Sequence, residues 1–219
     1  MLWIASSGLA DAALDVCSPS EGERARAATI AKPLRRRQFI AGRMLVRRML
    51  AELLGGRTED FELDATAGVA PRVVVHPDLH LSVSHSGEWV AAAIADRPVG
   101  IDIEGIAARR DSRRFARWVC SPDEFAAWQA LDGVDADSVL IAHWTRKEAW
   151  LKREGGEVLL TRMHRLHAAV ADGREADGAT WRIGDHSYLS VCAAEVREMD
   201  ARWSVSARLD GCWRMTSLE

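Results

Sequence analysis

The chain has 219 residues, 48% of them hydrophobic and 28% charged. This is globular composition with enough apolar residues for a core, and it excludes a disordered, collagen-like or disulfide-scaffold protein. The net charge of −3 hides an uneven distribution. Residues 21–50 carry nine basic side chains (Arg24, Arg26, Lys32, Arg35, Arg36, Arg37, Arg43, Arg47, Arg48) against Glu21 and Glu23, a local +7 that leaves −10 for the rest.

No run approaches the roughly 20 apolar residues of a membrane span; the longest is Trp89 to Ala95. The N-terminus lacks a positively charged leader pattern. Cys17, Cys120, Cys192 and Cys212 are scattered and form no CxxC, which fits reduced thiols in a cytoplasmic protein.

In chain order, Leu2–Ala5 reads as a strand, and residues 21–54 read as one long helix ended by Gly55-Gly56. Short β-branched or alternating runs predict strands at 69–75, 79–84, 89–95 and 99–103, with Asp96-Arg97-Pro98 as a turn. Residues 107–117 are charged and carry no predicted element. Ser121-Pro122-Asp123-Glu124 is a helix start, with Ser as N-cap and Glu at N3. That helix extends to about 131 and a second covers 136–152. Strands follow at 165–171, 180–183, 188–194 and 202–207. The two halves share an order of helix then strands, and Tyr188–Glu195 faintly echoes Leu81–Ser84 and Ala91–Ala93, a weak sign of duplication.

Four groups of residues bear chemistry. On a strand, Gly100-Ile-Asp102-Ile-Glu104 sends both carboxylates to one face, where they serve either a solvated edge or a hard divalent cation. In Trp144-Thr-Arg-Lys147-Glu148-Ala-Trp-Leu-Lys152, Glu148 and Lys152 share a helical stripe and form either a surface ion pair or part of a site. Ser84-His85-Ser86 ends a strand without any G-x-S-x-G elbow. There, His85 is a phosphate contact or a simple turn residue. The arginines of 21–50 suit phosphate binding or a solvated cationic face. The spacing of His76, His80 and His85 makes no convincing zinc site. There is no Walker A loop and no G-x-G-x-x-G.

In this order and spacing, the motifs resemble the Sfp-type 4′-phosphopantetheinyl transferases. Asp102 lies 17 residues after His85, and Glu148 lies 44 after Glu104. Cys120-Ser-Pro-Asp-Glu124 resembles the family's S-x-x-E block, and Ala41-Gly42-Arg43-Met-Leu-Val-Arg47 its N-terminal helix. The resemblance runs from about residue 24 to 195.

It implies a mixed α+β fold of two similar subdomains packed as an intramolecular pseudo-dimer, with halves 1–105 (binding coenzyme A) and 106–219 (metal and carrier-protein site) and the active site between them. It implies transfer of 4′-phosphopantetheine from coenzyme A to a serine of an acidic apo acyl or peptidyl carrier protein, with Mg²⁺ and release of 3′,5′-ADP, by a monomer that uses no nucleic acid and no membrane. Asp102, Glu104 and Glu148 match the family's metal ligands. Glu148, Lys152 and His85 match its catalytic groups. Arg24 and Arg26 fall where it binds the 3′-phosphate, and Ser84 and His85 where it meets the nucleotide phosphates.

The chain departs from the family pattern twice. Val69-Ala-Pro71-Arg72 replaces Gly-Lys-Pro, so Arg72 is the candidate for the missing lysine. Alignment on Gly42 puts Gln38 where the family has arginine, so the neighbouring Arg37 is the candidate there. The alternative is a coenzyme A, nucleotide or nucleic-acid binder that uses the basic segment without catalysis.

Overall fold

The computed structural model describes residues 1–9, 19–64, 66, 71–106, 111–155, 163–194, 196, 199–203 and 206–218. Its first strand, β1, is Leu2–Gly8. The long helix expected over 21–54 is two, α1 Glu21–Ala28 and α2 Pro33–Leu54. Pro33 opens α2, where its missing N–H costs nothing, and a continuous helix would have placed it inside and broken a bond. Ser20 caps α1 in a reciprocal box with Glu23. One Glu23 oxygen also pairs with Arg47 of α2 at 3.0 Å, with both side chains buried. Arg47, one of the cations read from sequence as free to meet phosphate, is thereby used to clamp α1 on α2.

Three antiparallel-paired strands follow or join β1: β2 His80–Ser86, β3 Trp89–Ala95 and, in a second sheet, β4 Val99–Gly105. The strand expected at 69–75 is replaced by an isolated bridge, Leu63 to Val73, and a turn at 74–75, while 67–70 lie outside the described residues. The charged stretch after Gly105 holds a helix that the sequence reading missed, α3 Ser112–Val119, capped by Asp111. Next are α4 Pro122–Gln129, with the expected Ser121–Glu124 capping box, and α5 Gly133–Arg153. The remaining strands are β5 Leu166–Val170, β6 Gly178–Ile183, β7 Ser187–Ala193, β8 Met199–Trp203 and β9 Ala207–Ser217. The strand expected at 202–207 is divided between the end of β8 and the start of β9. Asp210-Gly211 lies inside β9 where the register against β6 shifts.

The result is a mixed α+β architecture with two sheets, ordered β2-β3-β1-β8 and β4-β7-β6-β9-β5. Strand alternation decides the layers. In β3, Val90, Ala92 and Ile94 pack with Leu45, Met49 and Leu50 of α2. Ala91, Ala93 and Ala95 face a core shared with Ile101, Ile103, Leu189 and Val191 of the second sheet. In β4, Ile101 and Ile103 point into that core, so Gly100, Asp102 and Glu104 turn to the opposite face, as period two requires. That face meets α5.

The approach of α5 to β4 is close. A Cβ at Gly100 would stand 1.9 Å from the carbonyl oxygen of Ala149 and 2.6 Å from the nitrogen of Arg153. Both are backbone atoms that no rotamer change can move. Gly100→Ala is therefore expected to push α5 off β4 and to cost more than the ~1–3 kcal/mol of ordinary overpacking, measured by urea unfolding; a loss under 1 kcal/mol would refute the close contact.

Candidate active site

Asp102 is buried. Its Oδ1 accepts hydrogen bonds from the Ser84 hydroxyl and from Lys152 Nζ, each at 2.7 Å. Lys152 also donates to the Ile101 carbonyl at 3.0 Å, so α5 is tied to β4 one turn beyond Glu148. Glu104 Oε2 accepts from the Ser86 hydroxyl at 2.7 Å. Glu148 feels both acids: burial, then the charge of Asp102, then that of Glu104 drive its carboxyl up to about 7, with Lys152 opposing. The strand alternation and the helical stripe read from sequence therefore bring Asp102, Glu104, Glu148 and Lys152 to one place.

Beside this group lies a cleft of about 320 Å³ between α2 and β2, lined by Arg26, Arg35, Phe39, Arg43, Thr66 and His85 among others. Arg35 Nη1 sits 2.6 Å from Nδ1 of His85. Burial first, then Arg35, pushes the His85 imidazole down to about 4, so at neutral pH it is uncharged and accepts from the guanidinium. Arg43 donates to the Asp64 carbonyl and lies over the Phe39 ring. Helical phase decides which arginines arrive. Arg35 and Arg43 reach the cleft, and neither was singled out as a binding residue. Arg37 points elsewhere and pairs with exposed Glu88 at 2.7 Å. Arg26 lines the cleft. Arg24 is exposed and donates to the Pro19 carbonyl, and Arg72 is exposed near Asp64. Arg36 donates to the Ile30 carbonyl.

Ser84 is close to the cleft, but its hydroxyl hydrogen goes to Asp102. Ser86 was not predicted as functional. The signal was present, because residues two apart on a strand share a face and Ser84 and Ser86 flank His85. Lys147 turns away from the acids. It is fully buried and binds the Glu124 carboxylate and the Val119 and Met163 carbonyls. Trp144 stacks obliquely with Phe115 and Trp118, ring centroids 5.2 and 5.4 Å away. Cys120, Cys192 and Cys212 are free, and Cys17 lies outside the described residues.

The acids fit a divalent cation by their chemistry. Asp102 Oδ2 is buried without a hydrogen-bond partner, and the charges of Asp102 and Glu104 raise the cost of ionising Glu148. Among the described residues, no three acidic, His or Cys side chains converge tightly enough to chelate an ion as they stand.

The 4′-phosphopantetheinyl transferase superfamily model matches residues 98–202, the stretch from β4 to β8. The chain is similar to the 4′-phosphopantetheinyl transferases. It is 27% identical over 170 residues to the 4′-phosphopantetheinyl transferase psf-1 of Bacillus pumilus, covering 78% of this chain and 70% of that protein. It is 29% identical over 116 residues to Sfp of Bacillus subtilis strain 168 (53% and 51%), and 34% identical over 124 residues to AcpT of Salmonella typhimurium (56% and 61%). The resemblance and enzyme class expected from the motifs are borne out by these names. No helix among the described residues is long and apolar enough to cross a membrane.

The raised Glu148 predicts a pH dependence in chelator-treated protein. An acid whose folded pKa is raised stabilises the fold below its ordinary value near 4.5, and that contribution is lost as pH rises through about 7. Glu148→Gln should match the parent at pH 5 and exceed it by about 1–3 kcal/mol at pH 8. Melting curves at the two pH values check this, and a pH-independent difference would contradict it.

Proposed function

We propose that the protein transfers the 4′-phosphopantetheine group of coenzyme A to a serine hydroxyl of an apo carrier protein and releases 3′,5′-ADP. The observation that carries this reading is the meeting of Asp102, Glu104, Glu148 and Lys152 beside an arginine-lined cleft. Halves 1–105 and 106–219 each contribute to it, β2, β4 and α2 from the first and α5 from the second. This supports a reading in which the active site lies between two subdomains.

Asp102, Glu104 and Glu148 are the side chains that would hold Mg²⁺. When bound, the ion would neutralise charge on the pyrophosphate oxygens and lower the cost of the departing phosphate. The protein's own groups do the rest. Arg26, Arg35 and Arg43 supply guanidinium forks for the phosphates of the nucleotide. Neutral His85 adds a hydrogen bond without adding charge. Glu148 lies among these acids as the carboxylate placed to accept the proton of the attacking serine. Lys152 carries three donors and lies at the same acids, where it stabilises the leaving phosphate oxygen.

An acidic carrier is favoured by the exposed face of α3. Arg113, Arg114 and Arg117 are exposed there, with Trp118 38% exposed beside them. Such a face steers an acidic partner through association rate and loses that advantage in salt.

Incubation with coenzyme A, Mg²⁺ and a panel of apo carrier proteins, followed by intact mass, tests the reading. The expected result is one phosphopantetheine added per carrier, abolished in Asp102→Ala and Glu148→Ala variants that keep their circular dichroism. Retained transfer in either would overturn the assignment of the acids. No mass gain together with salt-sensitive RNA or DNA binding would favour the nucleic-acid reading instead.

The cleft generates a separate expectation. Arg35→Ala should raise KM for coenzyme A about tenfold, the loss of one charge-assisted contact of ~1.4 kcal/mol, with kcat little changed. A fall in kcat alone would remove Arg35 from the binding cleft.

A further inference from the structure

β2 and β4 are edge strands of different sheets and share no backbone ladder. Serine side chains bridge them instead. The Ser82, Ser84 and Ser86 hydroxyls accept the backbone N–H of Ile101, Ile103 and Gly105 at 3.0, 3.3 and 3.3 Å, so each rung joins residues nineteen apart in sequence. Alternate residues on both strands keep this in step. Two of the three hydroxyls do more. Ser84 donates to Asp102 Oδ1 and Ser86 to Glu104 Oε2, both at 2.7 Å. Ser82 has no such acceptor, because the corresponding position on β4 is Gly100.

A serine hydroxyl has one hydrogen to give. In Ser84 and Ser86 that hydrogen is committed to a carboxylate, so neither hydroxyl can donate to a phosphate at the same time. We propose that Ser84 and Ser86 are positioning residues that orient Asp102 and Glu104 for a divalent cation, rather than contacts to the nucleotide. This rests on the ligand role proposed above for those acids. Each hydroxyl fixes one oxygen of its carboxylate and so sets the plane in which the group can ligate. For Asp102 it leaves Oδ2 as the buried oxygen without a hydrogen-bond partner. Hydrogen bonds behind metal-ligating carboxylates commonly tune affinity 10–100-fold.

The test uses Mn²⁺ as a spectroscopic probe in place of Mg²⁺. Its affinity for the full chain is measured by electron paramagnetic resonance without coenzyme A, alongside steady-state transfer. Ser86→Ala is expected to weaken Mn²⁺ binding about tenfold, to raise the Mg²⁺ concentration for half-maximal transfer in proportion, and to leave KM for coenzyme A unchanged at saturating Mg²⁺. Ser86→Thr keeps the hydroxyl and should restore both. Ser82→Ala removes the same kind of rung without touching a carboxylate, so it should lower thermal stability and leave Mn²⁺ affinity at the parent value. Equal weakening in Ser82→Ala would show a merely structural ladder and overturn the proposal. A raised KM for coenzyme A with unchanged Mn²⁺ affinity in Ser86→Ala would overturn it in favour of phosphate contact. A parent protein that binds no Mn²⁺ and transfers without divalent ions would overturn the ligand role itself, an outcome separate from parental affinity in Ser86→Ala.

Discussion

Helix α5 lies where it does because position 100 carries no side chain. The backbone of Ala149 and Arg153 occupies the space a Cβ would take, and this brings Glu148 and Lys152 down onto the face of β4 that holds Asp102 and Glu104. The two elements belong to different stretches of sequence, 99–105 and 133–153. Neither carries a site alone. The acids on β4 would be an edge-strand pair, and Glu148 with Lys152 would be a surface ion pair worth a few tenths of a kcal/mol. Backbone contact at one glycine converts both into a cluster in which burial and like charge raise the Glu148 carboxyl.

Much of the site was legible because it depends on local periodicity. Period two sends Ile101 and Ile103 to the core and Asp102 and Glu104 away from it, and period 3.6 puts Glu148 and Lys152 on one stripe. The Ser121–Glu124 box was legible for the same reason, since capping is written within four residues. Hidden features depend on partners distant in sequence. α3 was obscured by its arginines, which are tolerated because Phe115, Ala116 and Val119 make the buried side. β9 runs on to Ser217, past the strand expected to end at 207, and Asp210 within it pairs with Arg146 at the register shift. Which arginines of α2 face the cleft depended on the helix starting at Pro33 and on which side β2 packs, and sequence alone supplied Arg37 where the fold supplies Arg35.

The basic segment likewise means something different once folded. Its +7 suited either phosphate binding or a solvated cationic face. Arg47 is neutralised by buried Glu23, Arg37 by Glu88, and Arg36 and Arg43 each donate to a carbonyl. Positive charge is thus divided between internal fastening and a small cleft, and this makes its placement, rather than its amount, the chemically useful property.

The strand order has a consequence for how the molecule comes into being. β1 pairs in parallel with β8, Leu2 opposite Met199, so two strands widely separated in sequence lie side by side in one sheet. β4, from the early part of the chain, likewise completes a sheet whose other strands all follow residue 165. Pairings of such wide separation carry a large loop-closure cost and form slowly. Until β8 pairs, that edge of β1 is open, and open edges recruit other chains. Neither sheet is therefore completed by one half of the sequence alone: β8 closes the sheet that holds β1, and β4 closes the sheet built from the later strands.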